Sequence, residues 1–151
     1  MLRRLAIIGL MAVEISRLSG APPAAEPDTA TILDSGSTNR PGFRIVVEHS
    51  GGAELTSTTR KLSTSQEQSK PIRRILPRAT LERFHADLNA AKPLTSLPEV
   101  HCMKSASFGS TLTVECGGEQ SPDLRCGDGG NVAMRNLIRD ANEIIALFPT
   151  N

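Results

Sequence analysis

Lys104-Ser-Ala-Ser-Phe108-Gly-Ser-Thr-Leu112-Thr-Val114-Glu-Cys116 is the stretch from which the fold is read. Ala106, Phe108, Leu112, Val114 and Cys116 share one parity, while Thr111, Thr113 and Glu115 take the other. Successive strand side chains point to opposite faces, so this alternation predicts a strand with one packed and one wet face. Gly117-Gly118 offers a turn, followed by a short return run around Leu124. Beyond it, Leu137, Ala141, Ile144, Ile145 and Phe148 form one stripe of a helix over Val132 to Phe148, and Asn131 is placed to cap it.

The first half repeats this order. Phe43 to Glu48 and Ala53 to Thr58 are strand-like runs around Gly51-Gly52, the pattern of a β-hairpin. A polar stretch from Thr59 to Pro77 follows. Leu81, Phe84, Leu88 and Ala91 then recur at helical spacing, with Thr80 as cap and Pro93 as terminator. The order ββαββα predicts a two-layer α+β fold, an antiparallel sheet of about four strands carrying two helices on one face. The Gly pairs suggest a duplication of about 65 residues, although shared turn chemistry explains them equally well.

Leu2-Arg3-Arg4 and the apolar run Leu5 to Val13 have the layout of a secretory signal peptide, assigned to residues 1–20. Nine residues rise only about 14 Å as a helix, short of the roughly 30 Å hydrocarbon core, so no transmembrane span is expected. Residues 21–42 hold four Pro and many small polar residues and read as a flexible linker. Residues 43–151 are then the single folded domain.

The chain has 151 residues, with 17 Lys plus Arg against 16 Asp plus Glu, a formal charge of +1. Such a balance excludes a globally basic nucleic-acid-binding domain. Four Phe and no Tyr or Trp leave a mostly aliphatic core.

Three Cys in an exported chain imply one disulfide and one thiol left over. If residues 102–116 formed one strand, its two Cys would lie roughly 45 Å apart, beyond the ~7 Å Cα limit for a bridge. Cys126 therefore pairs with Cys102 or Cys116. Cys116 shares the apolar parity, so it is expected as the thiol outside the bridge, with Cys102–Cys126 as the disulfide. The stretches His101-Cys-Met-Lys-Ser-Ala-Ser-Phe-Gly109 and Ser121-Pro-Asp-Leu-Arg-Cys126 resemble a motif pair of small exported bacterial proteins of unknown function. That resemblance implies no activity, and it supports pairing the two motif cysteines.

His101, Cys102, Met103, Cys116, Cys126 and Met134 are soft ligand types, but no C-x₂₋₄-C pair is present and an oxidised Cys102 cannot ligate. No metal or other cofactor is expected. Nothing places His49, His85 or His101 beside a nucleophile, and G-x-S-x-G is absent, so no catalytic residues are assigned. Gly127 to Asn131 reads as a turn into the last helix rather than a phosphate loop. Arg60, Lys61, Lys70, Arg73, Arg74 and Arg78, against Glu67 alone, form a basic run that could contact an anionic surface. No aromatic side chain is interleaved for stacking on bases, so no specific nucleic acid is expected. The resulting reading is an exported, non-enzymatic binding or inhibitor module acting on an envelope or extracellular macromolecule. The alternative is a thiol- or metal-dependent protein using His101 and Cys116.

Overall fold

The computed structural model describes residues 29–58, 70–105 and 107–149; the expected signal peptide, Arg60, Lys61 and Ala106 lie outside the described residues. Four strands come first: β1 (Thr29–Asp34), β2 (Gly42–Glu48), β3 (Gly52–Thr58) and β4 (Ile72–Ile75). Helix α1 (Arg78–Ala90) follows, then β5 (Leu112–Cys116), β6 (Glu119–Gln120) and helix α2 (Val132–Ala146). Short 3-10 turns occupy Leu94–Ser96 and Leu124–Cys126. All strands join one antiparallel sheet in the order β4-β3-β2-β1-β5-β6.

The α+β class holds, but the sheet has six strands rather than about four, and the order is ββββαββα rather than ββαββα. Both added strands in the first half fall where polar chain was expected. β1 lies inside the supposed linker over residues 21–42, yet it is central and pairs with β2 on one side and β5 on the other. Thr31, on the face away from the helices, is itself buried, so β1 lacks the clean alternation of a one-sided strand. Four Pro averaged over the same window masked a six-residue run of strand-forming type. β4 was hidden differently. Its sequence, Ile-Arg-Arg-Ile, is short and charged, the usual composition of a sheet edge.

The alternation read over 104–116 is a strand only from Leu112 to Cys116. Upstream, the Gly109 amide donates to the Ser105 carbonyl at 2.7 Å and folds the chain into a tight turn. Phe108, expected on the packed face, is 72% exposed as a result. The turn between β5 and β6 conforms to expectation, since Gly117 (φ 62°) and Gly118 (φ 81°) both adopt the left-handed conformation that a two-residue hairpin favours.

Cross-strand registry aligns Leu55, Ile45, Ile32 and Val114 in one row. These residues share a single buried cluster with Phe84 and Leu88 of α1 and with Met134, Leu137, Ala141 and Ile144 of α2. The helices meet along a polar seam. Arg83 Nε donates to Asp140 Oδ1 at 2.9 Å and its Nη2 to Glu143, while Arg139 bridges Asp87 (2.7 Å) and Asp140 (2.9 Å). Thr80 is not the cap of α1. It lies inside the helix, buried, and its hydroxyl donates to Glu143 Oε1 at 2.9 Å. Asn131 does cap α2, its side-chain oxygen accepting the Met134 amide at 2.9 Å.

Candidate functional site: a stapled loop above a buried carboxylate

Cys102 and Cys126 are bonded, with Cα atoms 5.3 Å apart. The pairing agrees with the expectation, but not for the geometric reason given for it, because β5 begins only at Leu112. The chain brings Cys126 to Cys102 by running residues 121–126 back along β5. There, side chains take the place of a strand's carbonyls. The Val114 amide donates to Ser121 Oγ at 3.0 Å, and the Leu112 amide donates to Asp123 Oδ1 at 3.0 Å. Pro122 between them has no amide to contribute. Asp123 Oδ1 also accepts the Arg125 amide at 3.0 Å, which fixes the 3-10 turn that ends in Cys126.

Arg125, the neighbour of Cys126, reaches Asp34, the last residue of β1, whose side chain is wholly buried. Its Oδ1 accepts the Gly36 amide at 2.8 Å, and its Oδ2 accepts Arg40 Nη2 at 2.8 Å together with Arg125 Nη2. Arg40 Nη2 also donates to Ser110 Oγ at 3.1 Å. Isolated burial of a carboxylate is prohibitively costly, so this site depends on both guanidinium groups. Lys104 completes the cluster, donating to the Ser110 carbonyl at 2.7 Å and to the Asp123 carboxylate. Partial burial, reinforced by the nearby Arg125 charge and opposed by Asp34, holds the Lys104 ammonium below the usual lysine range.

The two cysteine-bearing stretches therefore deliver one cation each, Lys104 two residues after Cys102 and Arg125 immediately before Cys126. Asp34 and Arg40 were missed because they sat in the supposed linker; the apolar run Ile32-Leu33 just before Asp34 was the available signal.

The outer surface of this loop is apolar in two places. Met103 is fully exposed and Phe108 is 72% exposed, although Phe43, Phe84 and Phe148 are buried. Gly109 closes the loop. A Cβ there would stand 2.5 Å from the Ser105 carbonyl oxygen, so backbone packing leaves no room for a side chain.

The remaining candidates do not converge. Cys116 lies outside the disulfide and is buried at the end of β5, whereas His101 is exposed beside Cys102. Among the described residues no group of three or more His, Cys, Asp or Glu is placed to hold a metal ion. The rings of His49 and His85 lie with centroids 4.7 Å apart and planes tilted by 51°. Of the basic run, Lys70, Arg73, Arg74 and Arg78 are described and all lie in or beside β4; Arg73 pairs with Glu54 and Arg78 with Glu82. At the start of α2, Asp128 accepts the Gly130 amide at 2.8 Å and pairs with Arg135. The Gly130 amide and the Arg135 contact hold the Asp128 carboxyl below its ordinary range, so a negative charge already occupies that turn.

No protein-family model matches the chain, and no curated protein is significantly similar to it. None of the described helices is long and apolar enough to cross a membrane.

Proposed function

We propose that this protein is an exported, non-enzymatic binding or inhibitor module that acts on an envelope or extracellular macromolecule through the stapled loop Cys102 to Gly109. The observation that carries the reading is the contrast between the loop's base and its rim. The base is held by a disulfide and by the Asp34, Arg40, Arg125 and Lys104 contacts; the rim turns Met103 and Phe108 to solvent. A loop fixed before it meets its partner loses less conformational freedom on binding, and large apolar side chains on such a loop are the usual anchors of an interface. Export is supported by the signal-peptide layout of residues 1–20 and by the disulfide, which persists in oxidising compartments.

A photo-crosslinking residue placed at position 108 in the full chain tests the reading. Discrete adducts are expected in the producing cell's envelope or medium, and the Met103→Ser exchange should abolish them. A crosslinker at Asn142, on the exposed side of α2, should give none. Equal adducts from both positions, or none from 108, would reject the loop as the contact surface.

A further inference from the structure

Among the described residues the sheet has two edges, β4 and β6, and they are not alike. β6 is only two residues long, and Glu119 at its start accepts the Leu94 amide at 2.9 Å, which brings the 3-10 turn Leu94–Ser96 against it. β4 pairs with β3 on one side, matching Ile72, Arg73, Arg74 and Ile75 to Leu55, Glu54, Ala53 and Gly52. Ile75 is 83% exposed and Arg73 and Arg74 are exposed. A strand edge that carries an exposed large apolar side chain is a template for a further strand.

The side chains along that edge decide what can pair with it. Ile72-Arg73-Arg74-Ile75 reads the same in both directions. A second copy, antiparallel, would set Arg73 against the other copy's Arg74; in parallel register, each Arg would face its own counterpart. Like charges directly opposite each other are destabilising, so self-pairing is opposed in either direction. A segment of the pattern apolar, acidic, acidic, apolar gives the opposite result, two apolar pairs and two ion pairs in either orientation. Lys70 and Arg78 flank the edge and extend the positive field. The only acids ion-paired to these cations among the described residues are Glu54 on Arg73 and Glu82 on Arg78, which leaves an excess of positive charge.

We infer that β4 is a second docking surface, independent of the stapled loop, that takes an extended acidic segment of a protein partner as a seventh strand. Nucleic acid or acidic lipid would engage the same cations without using the backbone edge, and the test separates these cases.

The probe is a fluorescent hexapeptide, Ser-Val-Glu-Glu-Val-Ser, titrated into the intact protein and followed by anisotropy. The charge-reversed Ser-Val-Lys-Lys-Val-Ser is expected to bind at least about tenfold more weakly, since two attractive cross-strand pairs become repulsive. The Arg73→Glu and Arg74→Glu double variant should invert that preference. Two further peptides, N-methylated at alternate residues in the two possible phases, report on the backbone. Strand addition uses only alternate amides on one edge, so one phase should abolish binding and the other leave it intact. If both methylated peptides bind as well as the parent, or if heparin or anionic vesicles bind the protein more tightly than the acidic peptide, the edge is a polyanion patch and the inference fails. The peptide comparisons stand even if the double variant does not fold.

Discussion

Arg125 donates a hydrogen bond to Asp34 across 91 positions of sequence, one residue away from the cysteine that closes the disulfide to Cys102. The 3-10 turn Leu124–Cys126 is thus tied at two points, to the end of β1 by an ion pair and to Cys102 by a covalent bond. Asp34 is wholly buried, whereas Arg125 and Arg40 keep 32% and 42% of their side chains exposed.

That asymmetry sets an order of mutational costs. Asp34→Asn removes a charge whose partners can turn back to water, and should cost about 1.5–3 kcal/mol, the range for hydrogen bonds to charged groups. The double exchange Arg40→Gln with Arg125→Gln strands a buried carboxylate and should cost about 3–5 kcal/mol. Urea denaturation of the three proteins gives the comparison; the reverse order would show that Asp34 is hydrated in solution.

Cys126→Ser opens a loop with a sequence separation of 24 residues. On the chain-entropy account the loss is about 3 kcal/mol, again measured by urea denaturation. In the wild-type protein the buried Cys116 should resist maleimide in native buffer and react fully in denaturant. Rapid native labelling would mean that the end of β5 opens readily.

Gly109→Ala should cost roughly 1–3 kcal/mol, the usual penalty of overpacking, because its new Cβ would meet the Ser105 oxygen and Lys104 Cβ at 2.5 and 2.7 Å. Phe108→Ala, in contrast, should stay within about 0.5 kcal/mol of wild type, since its side chain is solvent-exposed. Thermal melts of the two variants distinguish closure of the loop from display by the loop.

The helix seam predicts an acid response. Burial pushes the Asp140 carboxyl upward, but the hydrogen bonds from Arg139 and Arg83 outweigh that effect and leave it below the ordinary aspartate value. The unfolded chain therefore binds the proton first as pH falls. The stabilisation is complete above the ordinary value of 3.8 and is lost progressively below it, as pH approaches the lower folded value. Asp140→Asn should flatten that part of the pH–stability curve; an unchanged slope below pH 4 would assign the acid sensitivity to other carboxylates.

How much of the fold was legible depended on whether a segment's environment was one-sided. The β2 and β3 hairpin, the apolar stripe of α2 and its Asn131 cap are written in local sequence because each element has one packed face and one wet face. β1 has both edges paired and Thr31 buried on its outer side, so only the short run Thr29-Ala-Thr-Ile32 alternates in sequence and its burial does not follow that alternation. β4 forms through its pairing with β3, and its charged composition disguised it as loop. Phe108, conversely, shares the strand's parity but belongs to no strand, because the Gly109 amide bonds back to the Ser105 carbonyl.

The sequence by itself determined the α+β class, the two helices and the burial of Cys116, all consequences of local periodicity; the pairing of Cys102 with Cys126 was reached through a strand over 102–116 of which only Leu112–Cys116 forms. Only the tertiary structure decided that Asp34 pairs with Arg40 and Arg125, that Lys104 pairs with Asp123, and that Met103 and Phe108 face outward. The reason is physical: a buried carboxylate draws its counter-charges from whatever is near in space. Here those residues lie 6 and 91 positions away along the chain, a relation that no local pattern encodes.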